Sequence, residues 1–387
     1  MNRQGFLDRY NQLAKQFLCS LTAETPGENI VFSPFSVISV LSILADAARG
    51  KTREEILQAL YGNMNPEGLP KQLQKTKKEL TKIDFANISA YENPFGSSPV
   101  IPDYSRHLNT ANAVFVRDDI QNTLNPAFGN YFADTYDGTL MGTNNIEAAM
   151  EAWFNAMEHG RLELPKNTTP SETILALANT VLFEAMWLEP YTNSQVKKRI
   201  FTNSDNTKAK VNMMYSTENN YIETDLATGF IKDFQQCDYS FAALLPKEKG
   251  PEALQQLISA TNFQRLIKRS TYASVHTAMP EFTIETEKDL KQTCADLGIT
   301  ETLTTNANLS ALTTAKHTSK QIIHKAKIEL DRNGAKAKAA TAIHLIGSLP
   351  PEDEKEVIIN RPFVFAILHR TMNIPVFTGI VSRMEDA

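Results

Sequence analysis

The 387-residue chain is poor in cysteine, with only Cys19, Cys237 and Cys294. These are odd in number and widely separated, with none of the paired spacings of a metal or redox motif, so they read as ordinary reduced thiols. Seven histidines, His107, His159, His276, His317, His324, His344 and His369, include no pair four apart on a helix with glutamate between, which argues against that metal-site pattern. No serine sits in a glycine-serine-glycine elbow, and no glycine loop is arranged to cradle phosphate. Catalysis, a bound metal and an organic cofactor are therefore not expected. An excess of one charge is also missing: a formal net charge of −5 gives no electrostatic reason to propose nucleic acid as a partner. Long apolar runs are missing too. The stretch from Val37 to Ala48 is too short and too interrupted to span a bilayer and suits a buried core helix, so no membrane partner is expected. Residues 1–10 lack the apolar core of a secretion signal, and Phe6, Tyr10, Leu13 and Phe17 instead mark one face of a helix. The expected location is cytoplasmic, with export independent of a signal as the alternative.

What is present reads as one large folded unit. Near the middle of the chain there is no linker, repeat or low-complexity tract, so residues 1–387 are expected to form one domain, working as a monomer. An amphipathic first helix precedes the buried helix after Ser36. A third helix follows from Thr52, where Thr52-Arg-Glu-Glu55 matches a capping box ahead of Ile56, Leu57 and Leu60. Ala111–Val116, Leu175–Phe183 and Ser240–Leu245 are apolar enough to be interior strands of a covered sheet. A helix over Ala148 to Ala156 interleaves with them. The pattern is that of a mixed α and β domain with a large core.

The passage from Ile322 to Phe363 breaks this pattern. Gln321–Leu330 reads as a strand with one buried face, and Val357–Ile359 and Phe363–Leu368 read as strands again. Between them lie Asn333-Gly334, an alanine-rich run over Ala335–Ala342, the apolar Ile343–Leu349, Pro350-Pro351 and an acidic stretch. Most connections are about 4–6 residues, and structureless loops beyond about 15 residues are usually functional or disordered. Alanine and lysine also favour an exposed helix, so local propensity does not decide the conformation. As an extended chain, Ala335, Ala337, Ala339 and Thr341 fall on one face while Lys336 and Lys338 fall on the other. Such a segment suits a strand with small side chains inward.

Several motifs resemble those of the serpin family, in family order over nearly the whole chain. Asn29-Ile-Val-Phe-Ser-Pro-Phe-Ser36 is similar to the start of the family's second helix, and Asn179-Thr-Val-Leu-Phe-Glu-Ala-Met-Trp187 to its asparagine-to-tryptophan strand. Val211–Met214, Ala278–Ile284, His324–Leu330, Asn360–Phe363 and Pro375–Gly379 follow in turn. The resemblance implies an α+β fold with three β-sheets, about nine helices and an exposed reactive-centre loop near residues 333–357. It implies an inhibitor of serine proteases that acts as a suicide substrate. The protease attacks the loop and forms an acyl-enzyme, and the loop's N-terminal part then inserts into the main sheet and traps the protease.

On family spacing from Gly334, the scissile bond is Ser348–Leu349, and the small Ser348 suggests an elastase-like target. Leu345–Ile346 is the alternative and would suit a chymotrypsin-like protease; a cysteine protease is also considered. The hinge comprises Gly334, Ala335, Ala337, Ala339 and Thr341. Ser33, Ser36, Asn179 and His324 match the polar cluster beneath the main sheet that resists its opening, and Trp187 matches the tryptophan where the loop first enters. A satisfied core residue is the bland reading of each. Arg332 stands where the family often has an acidic residue that pairs with a lysine, and Glu184-Ala185 replaces the usual lysine-glycine. Lys71, Lys75, Lys78 and Lys82 repeat at helical spacing near where related chains sometimes bind sulfated polysaccharide, although such charge runs are usually solvated surface. The competing function is that of a non-inhibitory serpin: a carrier, chaperone or storage protein.

Overall fold

In a computed structural model, the described residues are 2–62, 68–82, 108–157, 173–235, 237–304, 306–315, 322–335 and 354–387. In chain order the elements are α1 (Arg3–Glu24), β1 (Ile30–Phe32), α2 (Pro34–Ala47), α3 (Gly50–Tyr61), α4 (Leu69–Leu80), β2 (Leu108–Arg117), α5 (Pro126–Tyr136), β3 (Gly138–Thr143), α6 (Ile146–Met157), β4 (Leu175–Phe183), β5 (Ala185–Met186), β6 (Val196–Thr202), β7 (Lys208–Glu223), β8 (Ala227–Asp233), β9 (Tyr239–Pro246), α7 (Pro251–Ala260), α8 (Phe263–Arg269), β10 (Thr271–Pro280), β11 (Phe282–Asp289), α9 (Lys291–Asp296), β12 (Ile323–Leu330), β13 (Gly334–Ala335), β14 (Glu354–Ile358), β15 (Phe363–His369) and β16 (Ile374–Val381). The mixed architecture, with three hydrogen-bonded sheets and nine α-helices among the described residues, agrees with the sequence reading.

The largest sheet has nine strands, ordered β1-β16-β15-β9-β8-β7-β10-β14 with β6 paired to β7. β9, β15 and β16 are buried along their whole lengths, as their continuous apolar sequences require. A four-stranded sheet runs β11-β12-β13-β5, and a three-stranded sheet runs β3-β2-β4. Only Glu184 separates β4 from β5, so a single stretch of chain passes through both smaller sheets and makes them two parts of one main sheet. Between those parts β4 and β12 are neighbours that share no ladder.

The helices follow from local chemistry. Asn2 caps α1 by accepting from the Gly5 amide at 2.8 Å, and Phe6, Tyr10, Leu13 and Phe17 are all buried. α2 carries apolar residues around most of its circumference because it is buried on nearly every side, packed near β4 and β16. Ser33 caps it and Pro34 occupies its first turn, where a missing N–H costs nothing.

The capping box expected at Thr52 does not form. α3 begins at Gly50, and its N-cap Arg49 makes no side-chain capping bond. Thr52 Oγ1 instead accepts from the Asn308 amide at 2.9 Å, and the Glu55 carboxylate accepts from the Thr300 and Glu301 amides at 2.8 and 2.7 Å. Tertiary donors from the 300–308 segment replace the helix's own.

Candidate functional site at the loop insertion point

After β12 the chain turns through Asp331, Arg332, Asn333 and Gly334. Asp331 Oδ1 accepts from the Asn333 amide at 2.7 Å and from the Gly334 amide at 3.2 Å, closing the turn. Gly334 has φ +151°, and a Cβ there would lie 2.1 Å from the Ala185 carbonyl oxygen and 2.7 Å from Met186 Cα. Glycine is required because the backbones approach so closely. Gly334 and Ala335 pair antiparallel with Met186 and Ala185 on β5, while Ala335 also pairs with Leu330 on β12. The first two residues of the long loop are thus already a strand between two strands, and Ala335 is buried. The remaining hinge positions, Ala337, Ala339 and Thr341, lie outside the described residues, as do Ser348, Leu349, Leu345 and Ile346.

Trp187 sits at this point. Its indole N–H donates to the Asp331 carbonyl at 2.8 Å and its amide to the Asn333 carbonyl at 2.9 Å. The ring is fully buried and stacks on Phe234 at 4.5 Å between centroids. The Tyr191 amide donates to the Arg332 carbonyl at 2.9 Å. Arg332, the departure from the family pattern, does find a charge partner: its Nε stands 3.2 Å from Glu281 Oε1, and its Nη1 donates to Asn193 Oδ1 at 2.8 Å. Glu281 Oε2 accepts from Asn212 Nδ2 at 2.8 Å. An ion pair therefore stands at the 331–334 turn, with the basic partner on the side of the long loop.

The polar residues beneath the sheet come together along one path. Ser33 Oγ accepts from the Ser36 amide at 3.3 Å, and Ser36 Oγ donates to Asn179 Oδ1 in a short bond. Asn179 Nδ2 donates to Asn112 Oδ1 at 2.8 Å, and Asn112 Nδ2 to the Tyr136 carbonyl at 2.9 Å. From the other side, His324 on β12 accepts the Ser33 amide on Nε2 at 3.4 Å. Ser33 is the junction between the β4 side and the β12 side. His324 lies edge-on to Phe32 at 6.5 Å, and burial lowers its pKa to about 4, so it is neutral near pH 7. Sequence reasoning missed Asn112, Asp331 and Glu281. An asparagine within the apolar run Ala111–Val116 was a readable signal for the first, and the Asp331-Arg-Asn-Gly334 turn for the second; Glu281 acts at long range and left none.

The lysines lie elsewhere. Lys71, Lys75 and Lys78 are exposed on α4, opposite the buried Leu69, Leu73, Thr76 and Leu80, while Lys82 is exposed just beyond the Thr81 cap. Lys77 turns aside to pair with Asp137 at 2.7 Å.

A three-sheet fold with a glycine-hinged loop that starts as a strand within its own main sheet defines a recognisable class. The family profile described as Serpin (serine protease inhibitor) matches residues 8–384, and the chain belongs to that family. Plasminogen activator inhibitor 1 of Sus scrofa is 27% identical over 370 residues, covering 91% of this chain and 86% of that protein. The native-state crystal structure of tengpin, a thermophilic serpin, is 26% identical with a TM-score of 0.82, covering 99% of this chain and 94% of its own. Human thyroxine-binding globulin complexed with thyroxine shares the fold at 23% identity and a TM-score of 0.82, with 100% of each chain covered.

Proposed function

We propose that the protein inhibits serine proteases as a suicide substrate, trapping the acyl-enzyme by carrying its cleaved loop into the main sheet. The observation that carries this reading is the strand Gly334–Ala335, seated between β12 and β5 with Ala335 buried. Further insertion would place Ala337, Ala339 and Thr341 on the same inward face, where a charge without a partner would cost several kcal/mol. Lys336 and Lys338 would remain on the solvent side, slowing insertion without forbidding it. Ser33, Ser36, Asn179 and His324 hold the β4 and β12 sides together until insertion parts them, and Trp187 holds the turn from which the loop enters.

The reactive bond in this reading is Ser348–Leu349, which suits an elastase-like protease, with Leu345–Ile346 and a chymotrypsin-like protease as the alternative. Proline after Leu349 disfavours cleavage there. The face of Lys71, Lys75, Lys78 and Lys82 is proposed to take a sulfated polysaccharide; loss of binding to immobilised heparin at modest salt would dispose of that element alone. The carrier reading draws only on the fold shared with thyroxine-binding globulin.

The test is to mix the protein with elastase-like, chymotrypsin-like, trypsin-like and papain-like proteases. An SDS-resistant adduct with release of a peptide beginning at Leu349 supports the proposal. Clean cleavage with no adduct in any mixture rejects trapping.

A further inference from the structure

A second charge pair lies beneath the insertion point, and unlike Arg332–Glu281 it is buried. Lys232 on β8 is only 2% exposed at its side chain, and its Nζ is 2.7 Å from Glu218 Oε1 on β7. The ammonium stands 4.6 Å from the centroid of the Tyr191 ring and 5.7 Å from that of Trp187. Glu218 Oε1 also accepts from Ser216 Oγ at 2.6 Å, and Ser216 bonds with Thr277 Oγ1 at 2.9 Å. A lysine is not placed in such a site by chance of packing, because removing an ammonium from water is costly unless charge and π-faces replace the solvent. Burial alone would lower its pKa, but Glu218 and the nearby Tyr191 more than offset that, and the group stays cationic.

The two rings over this ammonium belong to the two residues that grip the hinge. The carbonyls of Asp331, Arg332 and Asn333 are each held: by the Trp187 indole, the Tyr191 amide and the Trp187 amide respectively. Three consecutive carbonyls of the turn are therefore fixed by two aromatic residues, and one buried cation sits against both of their rings. We infer that Lys232 is a positioning residue for loop insertion: paired with Glu218, it holds Trp187 and Tyr191 so that the 331–334 turn stays clamped in the geometry from which the loop enters the sheet. This rests on the inhibitory reading for its consequence, but the clamp itself is a property of the free protein.

Removing Lys232 alone strands a largely buried carboxylate and risks misfolding, so the decisive variant is the neutral double substitution Lys232→Met with Glu218→Gln, with Lys232→Arg as the conservative control. In the double variant, hydrogen exchange at the Trp187 and Tyr191 amides should quicken by about tenfold or more, while β15 and β16 keep their protection and Lys232→Arg stays near the parent. With a protease that the parent traps, the rate of loop cleavage should not change. The number of molecules cleaved per adduct should rise about threefold, because a loosened turn delays insertion after acylation. Exchange within about twofold of the parent overturns the clamp, and faster exchange with unchanged partition overturns its role in insertion. If the parent traps no protease, the inhibitory reading fails on its own, and the exchange result still decides whether Lys232 holds the turn.

Discussion

β9, β15 and β16 are buried throughout and paired along both edges, whereas β4 and β12, equally neighbours, meet without a ladder and are joined through Ser33, Ser36, Asn179 and His324. A backbone ladder separates only by losing many bonds at once. Side-chain bonds can be given up a few at a time, which is what the proposed insertion of another strand at this place requires. The same chain thus builds one sheet that is complete and one that is held at its middle by a few hydrogen bonds among Ser33, Ser36, Asn179 and His324, and near the turn by the first two residues of the loop.

Substitutions on the two sides should behave differently, and the largest contrast is at the hinge. Ala335→Arg would place a cation where the side chain is 1% exposed. Trapping should be abolished and the loop cleaved as an ordinary substrate, read as loss of the SDS-resistant adduct with normal peptide release. Phe365→Ala, in the complete sheet, should cost about 3–5 kcal/mol in denaturant unfolding yet leave the ratio of trapping to cleavage unchanged. A shift in that ratio would erase the distinction between the two regions.

The middle of the main sheet should respond to acid. His324 has a folded pKa of about 4 against an ordinary value of 6.5, so the unfolded chain binds its proton first. Stability from this group is intact above pH 6.5 and falls as pH drops from there to about 4, by about 3 kcal/mol in all. Unfolding titrations of the parent and His324→Gln should differ in slope over that window and run parallel above it. The smallest effect belongs to the partly exposed Arg332–Glu281 pair. Either Arg332→Glu or Glu281→Arg should lower stability by roughly 1 kcal/mol, and the double exchange should restore most of it if the pair matters as a pair.

Much of this architecture was legible because it depends on residues close in sequence. The buried face of α1 follows from apolar spacing, α2 and the strands β4, β9, β12 and β15 from apolar runs, and the basic face of α4 from the spacing of its lysines, while the family motifs point to Gly334, Ala335, Asn179 and His324. The capping box failed because Thr52 and Glu55 satisfy donors about 250 residues away, which no local pattern encodes. The strict need for glycine at 334 arises from the backbone of Ala185 and Met186. Lys232 and Glu218 lie on two different strands, and only the packing of Trp187 and Tyr191 reveals that the pair faces the hinge.

The most direct test of the central claim is the melting temperature of the protein before and after a single proteolytic nick in the loop. If the main sheet accepts the freed segment as a strand, the nicked protein should melt more than about 10 °C higher. If the sheet does not take it up, the nicked and intact proteins will melt together, and that result would contradict the account.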